Sequence, residues 1–167
     1  MALATDPRVP ADGLSQVQGV TDVPLSQDTV FRLLANAARQ WPHGLAAVFC
    51  EQGVRWTWSE LLQEVEAAAA AFWKSGVRAG DRVGIWAPNC AEWVLTQFAT
   101  ATLGAVLVNI NPAYRTHELT YVLRQAGIRM LVTAESFKSS DYVAMVETAR
   151  PECPALEQVF VIGRESW

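Results

Sequence analysis

The chain has 167 residues, 51% of them hydrophobic and 18% charged, so it carries enough apolar side chains to bury one sizeable core. Its formal net charge is −4 and its 13 Lys and Arg residues are scattered, which argues against nucleic acid as a partner. Cys50, Cys90 and Cys153 lie far apart and form no C-x-x-C pair, so neither a disulfide framework nor a zinc site is expected. The composition is that of a globular domain in a reducing compartment.

Residues 1–27 are rich in Pro, Gly, Asp, Ser and Gln and show no sustained periodicity, which predicts a mobile or extended N-terminal tail. They contain one basic side chain, Arg8, and neither an apolar signal core nor an Arg-rich amphipathic pattern. We therefore expect a cytoplasmic location. The most apolar window, residues 91–110, is interrupted by polar side chains and falls short of the ~20 apolar residues that a membrane span needs.

The first predicted elements are a helix and a hairpin. Apolar residues at helical spacing from Phe31 to Ala38 predict a helix that ends before Pro42. The segments "LAAVFC" and "VRWTW" predict two short strands around the turn signal at Gln52 and Gly53.

A capping box opens the next predicted helix, "TWSELLQEVEAAAAAFWKSG", because Thr57 is followed three residues later by Glu60. Gly76 is placed to end this helix. The tryptophans at positions 56, 58, 73, 86 and 93 are interpreted mainly as core residues, although Trp86 directly precedes a loop on the predicted ligand side. The apolar stripe of the helix consists of Leu61, Leu62, Val65, Ala69, Phe72 and Trp73.

The rest of the chain alternates strands with helices. "RVGIWA", "AVLVNI", "RMLVTA" and "LEQVFVIG" predict strands, and the segments between them predict helices that start near Asn89, Thr116 and Lys138. Asn89 is the predicted cap of its helix, with Glu92 at its third position. This order predicts an α/β fold, a mostly parallel sheet with helices on both faces. Ligands of such sheets bind where the carboxyl ends of the strands lead into loops.

Few side chains in this inventory indicate chemistry. No two glycines lie within three residues of each other, so a backbone phosphate cradle is not predicted. His43 and His117 fit solvated positions better than catalytic ones, and Ser59, Ser136, Ser139 and Ser140 lack a nucleophile-elbow context. The carboxylates of Glu60, Glu64 and Glu66 are most simply a helix cap and solvated charge.

Two stretches resemble core motifs of the adenylate-forming superfamily of acyl-CoA synthetases, nonribosomal adenylation domains and luciferases. "WTWSEL", residues 56–61, resembles the first motif, and "GAVLVNINPAYRTHEL", residues 104–119, resembles the second, with "GDRVGIWAPN" between them. The pattern N-x-N-P-x-Y-R-T-x-E-L is similar to that of fatty acyl-CoA synthetases acting on medium or long chains. The resemblance covers roughly residues 28–163 and implies that residues 28–167 form an incomplete N-terminal α/β subdomain of the AMP-binding fold.

The resemblance implies ATP-dependent activation of a carboxylate to an acyl-adenylate, then thioester formation with coenzyme A (CoA), with Mg²⁺ as the cation. The family's phosphate loop with its lysine, its ribose-binding Asp and Arg, and its C-terminal catalytic lysine have no counterparts in these residues. We therefore expect no catalytic residue and no metal ligand here, no tightly bound cofactor, and no activity of this chain alone. Fatty acid, ATP and CoA are the expected partners of the full-length enzyme.

A role in binding CoA is the one contribution that the resemblance implies for this chain. In related acyl-CoA synthetases the CoA nucleotide lies against the loop after the second motif's strand and near a basic residue after the next strand. By position these residues are Pro112, Ala113, Tyr114 and Arg115, with Lys138. Both cations follow adjacent strand ends, where an anionic 3′-phosphate could reach them. In the alternative interpretation Pro112 only fixes φ in a turn, and both cations are solvated.

Two further functions stay open. The chain could be a stand-alone α/β module that binds a nucleotide through the same loops without chemistry. It could also be an assembly module that self-associates through apolar surface, which the remainder of a ligase would otherwise cover.

Overall fold

The structure, a computed structural model, describes residue 19 and residues 22–163, so most of the tail predicted over residues 1–27 lies outside the described part. The elements follow the predicted order except for one short hairpin, Ser136–Phe137 with Ser140–Asp141, which was not predicted. A 3₁₀ turn, Arg150–Glu152, precedes the last strand. Their bounds are α1 Val30–Gln40, β1 Leu45–Phe49, β2 Val54–Thr57, α2 Trp58–Lys74, β3 Arg82–Trp86, α3 Ala91–Leu103, β4 Val106–Asn109, α4 Thr116–Ala126, β5 Met130–Thr133, β6 Ser136–Phe137, β7 Ser140–Asp141, α5 Tyr142–Ala149 and β8 Gln158–Val161.

Four parallel strands form the central sheet in the order β4-β3-β5-β8, while β1-β2 and β6-β7 are separate antiparallel hairpins. The pairing of Trp86 with Thr133, and of Thr133 with Val161, brings the carboxyl ends of these strands to one edge of the sheet. This arrangement confirms the predicted mostly parallel sheet. Below, this edge is called the carboxyl edge.

Alternate residues of the central strands face two helical layers, which confirms helices on both faces. Val83 and Ile85 of β3 pack in one cluster with residues of α2 and α3. Trp86 at the end of β3 packs in another cluster with residues of α4 and α5. A third cluster joins α1 to α2 and α3. None of the described helices is long and apolar enough to cross a membrane.

The capping box predicted at the start of α2 is confirmed. The backbone N–H of Thr57 donates to Glu60 Oε2 across 2.8 Å, and the backbone N–H of Glu60 donates to Thr57 Oγ1 across 3.3 Å. These bonds satisfy two of the N–H groups that a helix start leaves without a partner. The hydrogen bond from the Thr57 backbone is also the main reason why the pKa of Glu60 lies below its usual value.

The prediction that Asn89 caps α3 is wrong. Cys90 holds the capping position with extended backbone angles, and its side chain makes no capping hydrogen bond. The acceptor comes instead from the β1-β2 turn, where Gln52 Oε1 accepts from the Ala91 backbone N–H across 2.7 Å. Glu92, predicted at the third helical position, is the second residue of α3 and accepts a hydrogen bond from Gln52 Nε2.

The prediction that Trp73 fills the core is also wrong. Its side chain is 52% exposed, near the end of α2, where helical periodicity alone would place it beside the buried Phe72. The guanidinium carbon of Arg78 lies 3.8 Å from its ring centroid. A cation stacked on the indole face therefore covers part of a ring that the core does not use.

The helix predicted from Lys138 begins later, at Tyr142. Ser136–Phe137 and Ser140–Asp141 pair as a short hairpin, and Lys138 in its turn has a left-handed φ of 54° that a helix does not allow. The helix starts once Asp141 Oδ1 accepts a hydrogen bond from the Ala144 backbone N–H. Lys138 is therefore a turn residue at the carboxyl edge.

Candidate functional site

The loop after β4, residues 110–115, is a tight turn organised by Asn111. Its backbone carbonyl accepts from the Tyr114 N–H across 3.0 Å, and its side-chain Oδ1 accepts from the Ala113 N–H across 2.9 Å. Pro112 fixes φ inside this turn and forces Asn111 into extended backbone. The loop is thus a defined surface at the carboxyl edge rather than a flexible connection.

Two buried aromatic rings support this turn. Trp86 and Tyr142 are fully buried and stack with their ring centroids 3.6 Å apart and their planes 5° from parallel. Trp86 Nε1 donates to the Asn111 carbonyl across 3.0 Å, and the Tyr142 hydroxyl donates to the Pro112 carbonyl. Burial raises the pKa of Tyr142 to about 12, so its hydroxyl stays protonated and can donate at neutral pH.

Arg115 follows the turn and connects it to the β6-β7 hairpin. Its Nη1 donates to Ser140 Oγ across 2.6 Å, while its backbone N–H donates to Glu118 Oε2 across 3.0 Å. The pKa of Glu118 is lowered, first by a hydrogen bond from its own backbone N–H and next by that of Arg115. The carboxylate therefore stays charged at the helix start, and the guanidinium remains exposed at the carboxyl edge.

Lys138 lies two residues before Ser140, in the β6-β7 turn, and its side chain is exposed. Its Nζ lies 5.3 Å from the centroid of the Phe137 ring. An open cleft of about 560 Å³ borders this turn and the start of α5. It is lined by Glu135, Ser136, Lys138, Ser139, Ser140, Asp141, Val143 and Ala144.

The helix starts at the carboxyl edge are already occupied by side chains of this chain. Gln52 accepts from the first N–H of α3, Glu118 caps the start of α4, and Asp141 caps α5. A phosphate would have to displace these groups to use the helix dipoles. Over residues 22–163, neither Arg115 nor Lys138 forms a salt bridge. The side-chain cations are therefore the groups that can receive an anion here.

The structure brings the predicted site residues together in part, and the strands that precede the two cations are not adjacent, because β3 lies between β4 and β5. Arg115 and the turn that carries Lys138 are joined through Ser140, and Tyr114 packs with its side chain half-buried against the core under the loop. Pro112 contributes its carbonyl to Tyr142 rather than to the surface. Ala113 is exposed, so its side of the turn is accessible to solvent.

The described part of the chain holds no cluster of metal-binding side chains. His43 lies exposed in a turn, and His117 is exposed in the first turn of α4, as predicted. Within the described ranges, no group of three or more His, Cys, Asp or Glu side chains is placed to hold a metal ion. The acidic ligands that Mg²⁺ prefers are thus not assembled among these residues.

A family model described as AMP-binding enzyme matches residues 34–167 of this chain. The chain belongs to the AMP-binding enzyme family. Its curated relatives in this family include the medium-chain acyl-CoA ligase ACSF2, mitochondrial, of Danio rerio, which is 40% identical over 146 residues. The match covers 87% of this chain and 24% of the relative.

Another curated relative and two solved structures are also similar to this chain. The human protein of the same name is 41% identical over 143 residues, covering 86% of this chain and 23% of its own length. The long-chain-fatty-acid-CoA ligase FadD1 of Archaeoglobus fulgidus has the same fold, with a TM-score of 0.76 and 24% identity over 91% of this chain and 31% of that one. The anthranilate CoA ligase AuaEII, solved with anthranoyl-AMP, has a TM-score of 0.74 and 27% sequence identity. The match covers 85% of this chain and 26% of that one. This chain spans about a quarter of the curated relatives' length.

Sequence reasoning missed two residues of this candidate site. Ser140 was set aside for lack of a nucleophile context, yet it joins Arg115 to the hairpin. Tyr142 was one apolar residue of a predicted helix, and no local pattern indicates its contact with a loop 30 residues earlier. The position of Trp86 directly before a loop was the available signal, and the structure shows it bound to the Asn111 carbonyl.

Proposed function

We propose that this chain serves as the N-terminal part of a fatty acyl-CoA ligase for medium- or long-chain acids. Such a ligase would use ATP to form an acyl-adenylate and release pyrophosphate, and would then transfer the acyl group to the thiol of CoA. Support comes from the family match over residues 34–167 and from relatives named as medium-chain acyl-CoA ligases. The choice of fatty acid rests on those names and on the N-x-N-P-x-Y-R-T-x-E-L pattern.

Within that enzyme, we assign to this chain contacts with the nucleotide of CoA. The observation that carries this assignment is the 2.6 Å hydrogen bond between Arg115 and Ser140, which ties both cation-bearing loops to one edge. A 3′-phosphate carries charge that Arg and Lys bind through charge-assisted hydrogen bonds. The turn formed by Pro112, Ala113 and Tyr114 would lie against the ribose and adenine.

The chemistry itself needs groups that these 167 residues do not hold. Their sequence includes no glycine-rich phosphate loop, and their described part holds no metal-binding cluster, so the proposal assigns no residue of this chain to ATP or Mg²⁺. Stabilising the transition state of phosphoryl transfer depends on such groups. We expect the isolated chain to catalyse no ATP–pyrophosphate exchange above the blank, and measurable exchange would contradict this.

The CoA assignment is testable in an intact ligase that contains this chain. Arg115→Ala and Lys138→Ala should each raise the KM for CoA by about tenfold, since a hydrogen bond to a charged group contributes roughly 1.5–3 kcal/mol. The rate of ATP–pyrophosphate exchange should stay unchanged, because that half-reaction precedes CoA binding. Arg55→Ala and Lys74→Ala remove the same charges from exposed sites on β2 and α2 and serve as controls. An unchanged KM for CoA in both site variants would remove the assignment.

A second function, self-association, is favoured by exposed apolar side chains on and directly after α1. Val30 and Leu33 lie three residues apart on α1 and are 47% and 51% exposed, and Trp41, directly after its end, is 53% exposed. Leu45 at the start of β1 is 56% exposed as well. Light scattering should detect dimers or larger species that Leu33→Asp and Trp41→Ser suppress, whereas a monodisperse monomer at high concentration would refute this function.

The cytoplasm stays our proposed compartment. The vertebrate relatives carry the word mitochondrial in their names, which describes those proteins. The proposal rests on the composition of residues 1–27, in which Arg8 is the only basic residue. A C-terminal fluorescent fusion should give diffuse cytoplasmic signal, and co-localisation with an organelle marker would contradict it.

A further inference from the structure

The stacked pair of Trp86 and Tyr142 uses both of its polar groups on one short segment. The indole N–H binds the Asn111 carbonyl, and the phenol binds the carbonyl of the next residue, Pro112. Both rings are fully buried, so each donor would lack water if its carbonyl moved away. Two consecutive carbonyls of the turn are therefore fixed from the core side.

Tyr142 also contacts the second loop of the site. Its backbone N–H donates to the Glu135 carbonyl across 3.1 Å, just before β6, and it directly follows Asp141 at the end of β7. The β6-β7 hairpin with Lys138 is thus anchored on the same residue that holds the Pro112 turn. Because Arg115 follows that turn, the position of each cation depends on Tyr142.

We infer that Tyr142 is a positioning residue for CoA, which sets the separation of Arg115 and Lys138 through its hydroxyl on the Pro112 carbonyl, with Trp86 as its supporting partner. The inference rests on the proposed CoA role of the two cations. Tyr142 itself is fully buried, so a ligand bound at the surface would not touch it. Its effect on binding is exerted through the turn, and it should concern the 3′-phosphate more than the rest of the nucleotide.

Tyr142→Phe separates this role from simple packing, because it keeps the ring and its stack on Trp86 and removes only the donor. Tyr121→Phe on the exposed face of α4 makes the same chemical change and serves as the control. Trp86→Phe removes the other donor and gives a second variant if Tyr142→Phe fails to fold. Each variant would be titrated as the 167-residue chain, by NMR, with CoA and with 3′-dephospho-CoA.

The decisive quantity is the ratio of the two dissociation constants, because a loss of stability alone leaves this ratio unchanged. We expect the wild-type chain to prefer CoA by about tenfold and Tyr142→Phe to lower this preference to about twofold, as the loss of a hydrogen bond permits. The amides of Ala113 and Tyr114 should also exchange with solvent faster in Tyr142→Phe. Tyr121→Phe should match the wild type in both measurements.

Two failures can be told apart. A wild-type preference for CoA that persists in Tyr142→Phe, with unchanged amide exchange, would overturn the positioning role and leave the proposed function standing. No preference for CoA in the wild type would overturn the assignment of the CoA 3′-phosphate to Arg115 and Lys138, on which this inference rests. In that case faster amide exchange in Tyr142→Phe would still show that the Tyr142 hydroxyl stabilises the Pro112 turn. Unchanged amide exchange would refute this as well.

Discussion

Gln52 in the β1-β2 turn accepts a hydrogen bond from the backbone N–H of Ala91, the first residue of α3, across 2.7 Å. Its Nε2 donates to the carboxylate of Glu92 across 2.9 Å. A side chain 39 residues away thus does what the local cap does in α1, α2 and α5. The contact joins the hairpin to the carboxyl edge of the sheet.

Gln52→Ala should lower the free energy of unfolding by about 1 kcal/mol, the usual effect of losing a helix cap. Urea denaturation followed by circular dichroism would measure this loss. Gln63→Ala, on the exposed face of α2, removes a glutamine without this contact and should leave stability within about 0.5 kcal/mol of the wild type. Equal stability of the two variants would show that the cap contributes nothing.

Asp81 should carry part of the acid sensitivity of the fold. Its pKa is lowered mainly by the hydrogen bond from the Arg78 backbone N–H and further by Arg129, whose Nη1 lies 2.8 Å from its carboxylate. Because the folded pKa is depressed, the stabilisation is complete above the ordinary pKa and is lost as the pH falls through the folded value.

Asp81→Asn should therefore be less stable than the wild type by about 1 kcal/mol at pH 7, a figure reduced for the partial exposure of the site. The difference should shrink as the pH falls below the ordinary Asp pKa of about 3.9 towards the lower folded pKa of Asp81. Asp22→Asn, on an exposed residue before α1, is the control, and its free energy of unfolding should change with pH as that of the wild type does. A difference between Asp81→Asn and the wild type that stays constant with pH would contradict this origin.

Gly84 lies in the middle of β3, where a side chain has no room. A Cβ there would lie 3.1 Å from the Cδ1 atoms of Ile128 and Leu131 and 3.2 Å from that of Ile110. Gly84→Ala should destabilise the fold by about 1–2 kcal/mol through overpacking. In thermal unfolding, Gly19→Ala should be near-neutral, because no atom lies within 4 Å of that position. A Gly84→Ala chain as stable as the wild type would show that these side chains yield freely.

The backbone conformation of Lys138 should lower the free energy of unfolding. Its φ of 54° lies in the left-handed region, which costs a side-chain-bearing residue roughly 1 kcal/mol relative to glycine. Lys138→Gly should therefore raise the free energy of unfolding by up to about 1 kcal/mol while it weakens CoA binding. Ser139→Gly, the next residue of the turn, should show neither effect. A Lys138→Gly chain that gains no stability would show that the left-handed φ of Lys138 costs no stability.

The regular elements were predictable because each is encoded locally. Apolar runs bounded by turn signals predicted β3, β4 and β5, and the Thr57 and Glu60 pair predicted the start of α2. The parallel sheet followed from their alternation with helices. These features depend on residues within one element or its immediate flanks, so the sequence alone contains the required information.

The errors concern contacts between distant parts of the chain. Asn89 has the right residue type for a cap, but the first N–H of α3 donates to Gln52 instead. The position of the hairpin, which the local sequence does not show, makes this bond possible. Trp73 fits an apolar stripe, yet it is 52% exposed and stacks with Arg78, which follows the end of α2 in the sequence. The β6-β7 hairpin is two residue pairs long, too short for a periodicity, so Lys138 was assigned to the helix that follows.

The central claim, that Arg115 and Lys138 bind the 3′-phosphate of CoA, is tested most directly by NMR titration of the 167-residue chain. With CoA at millimolar concentration, saturable shifts should appear for the amides of Ala113, Tyr114 and the β6-β7 turn, and about tenfold more 3′-dephospho-CoA should be needed for the same shifts. The double variant Arg115→Ala and Lys138→Ala should lose this preference, while Arg55→Ala with Lys74→Ala should keep it. Equal shifts with both ligands, or a preference that survives in the double variant, would contradict the account.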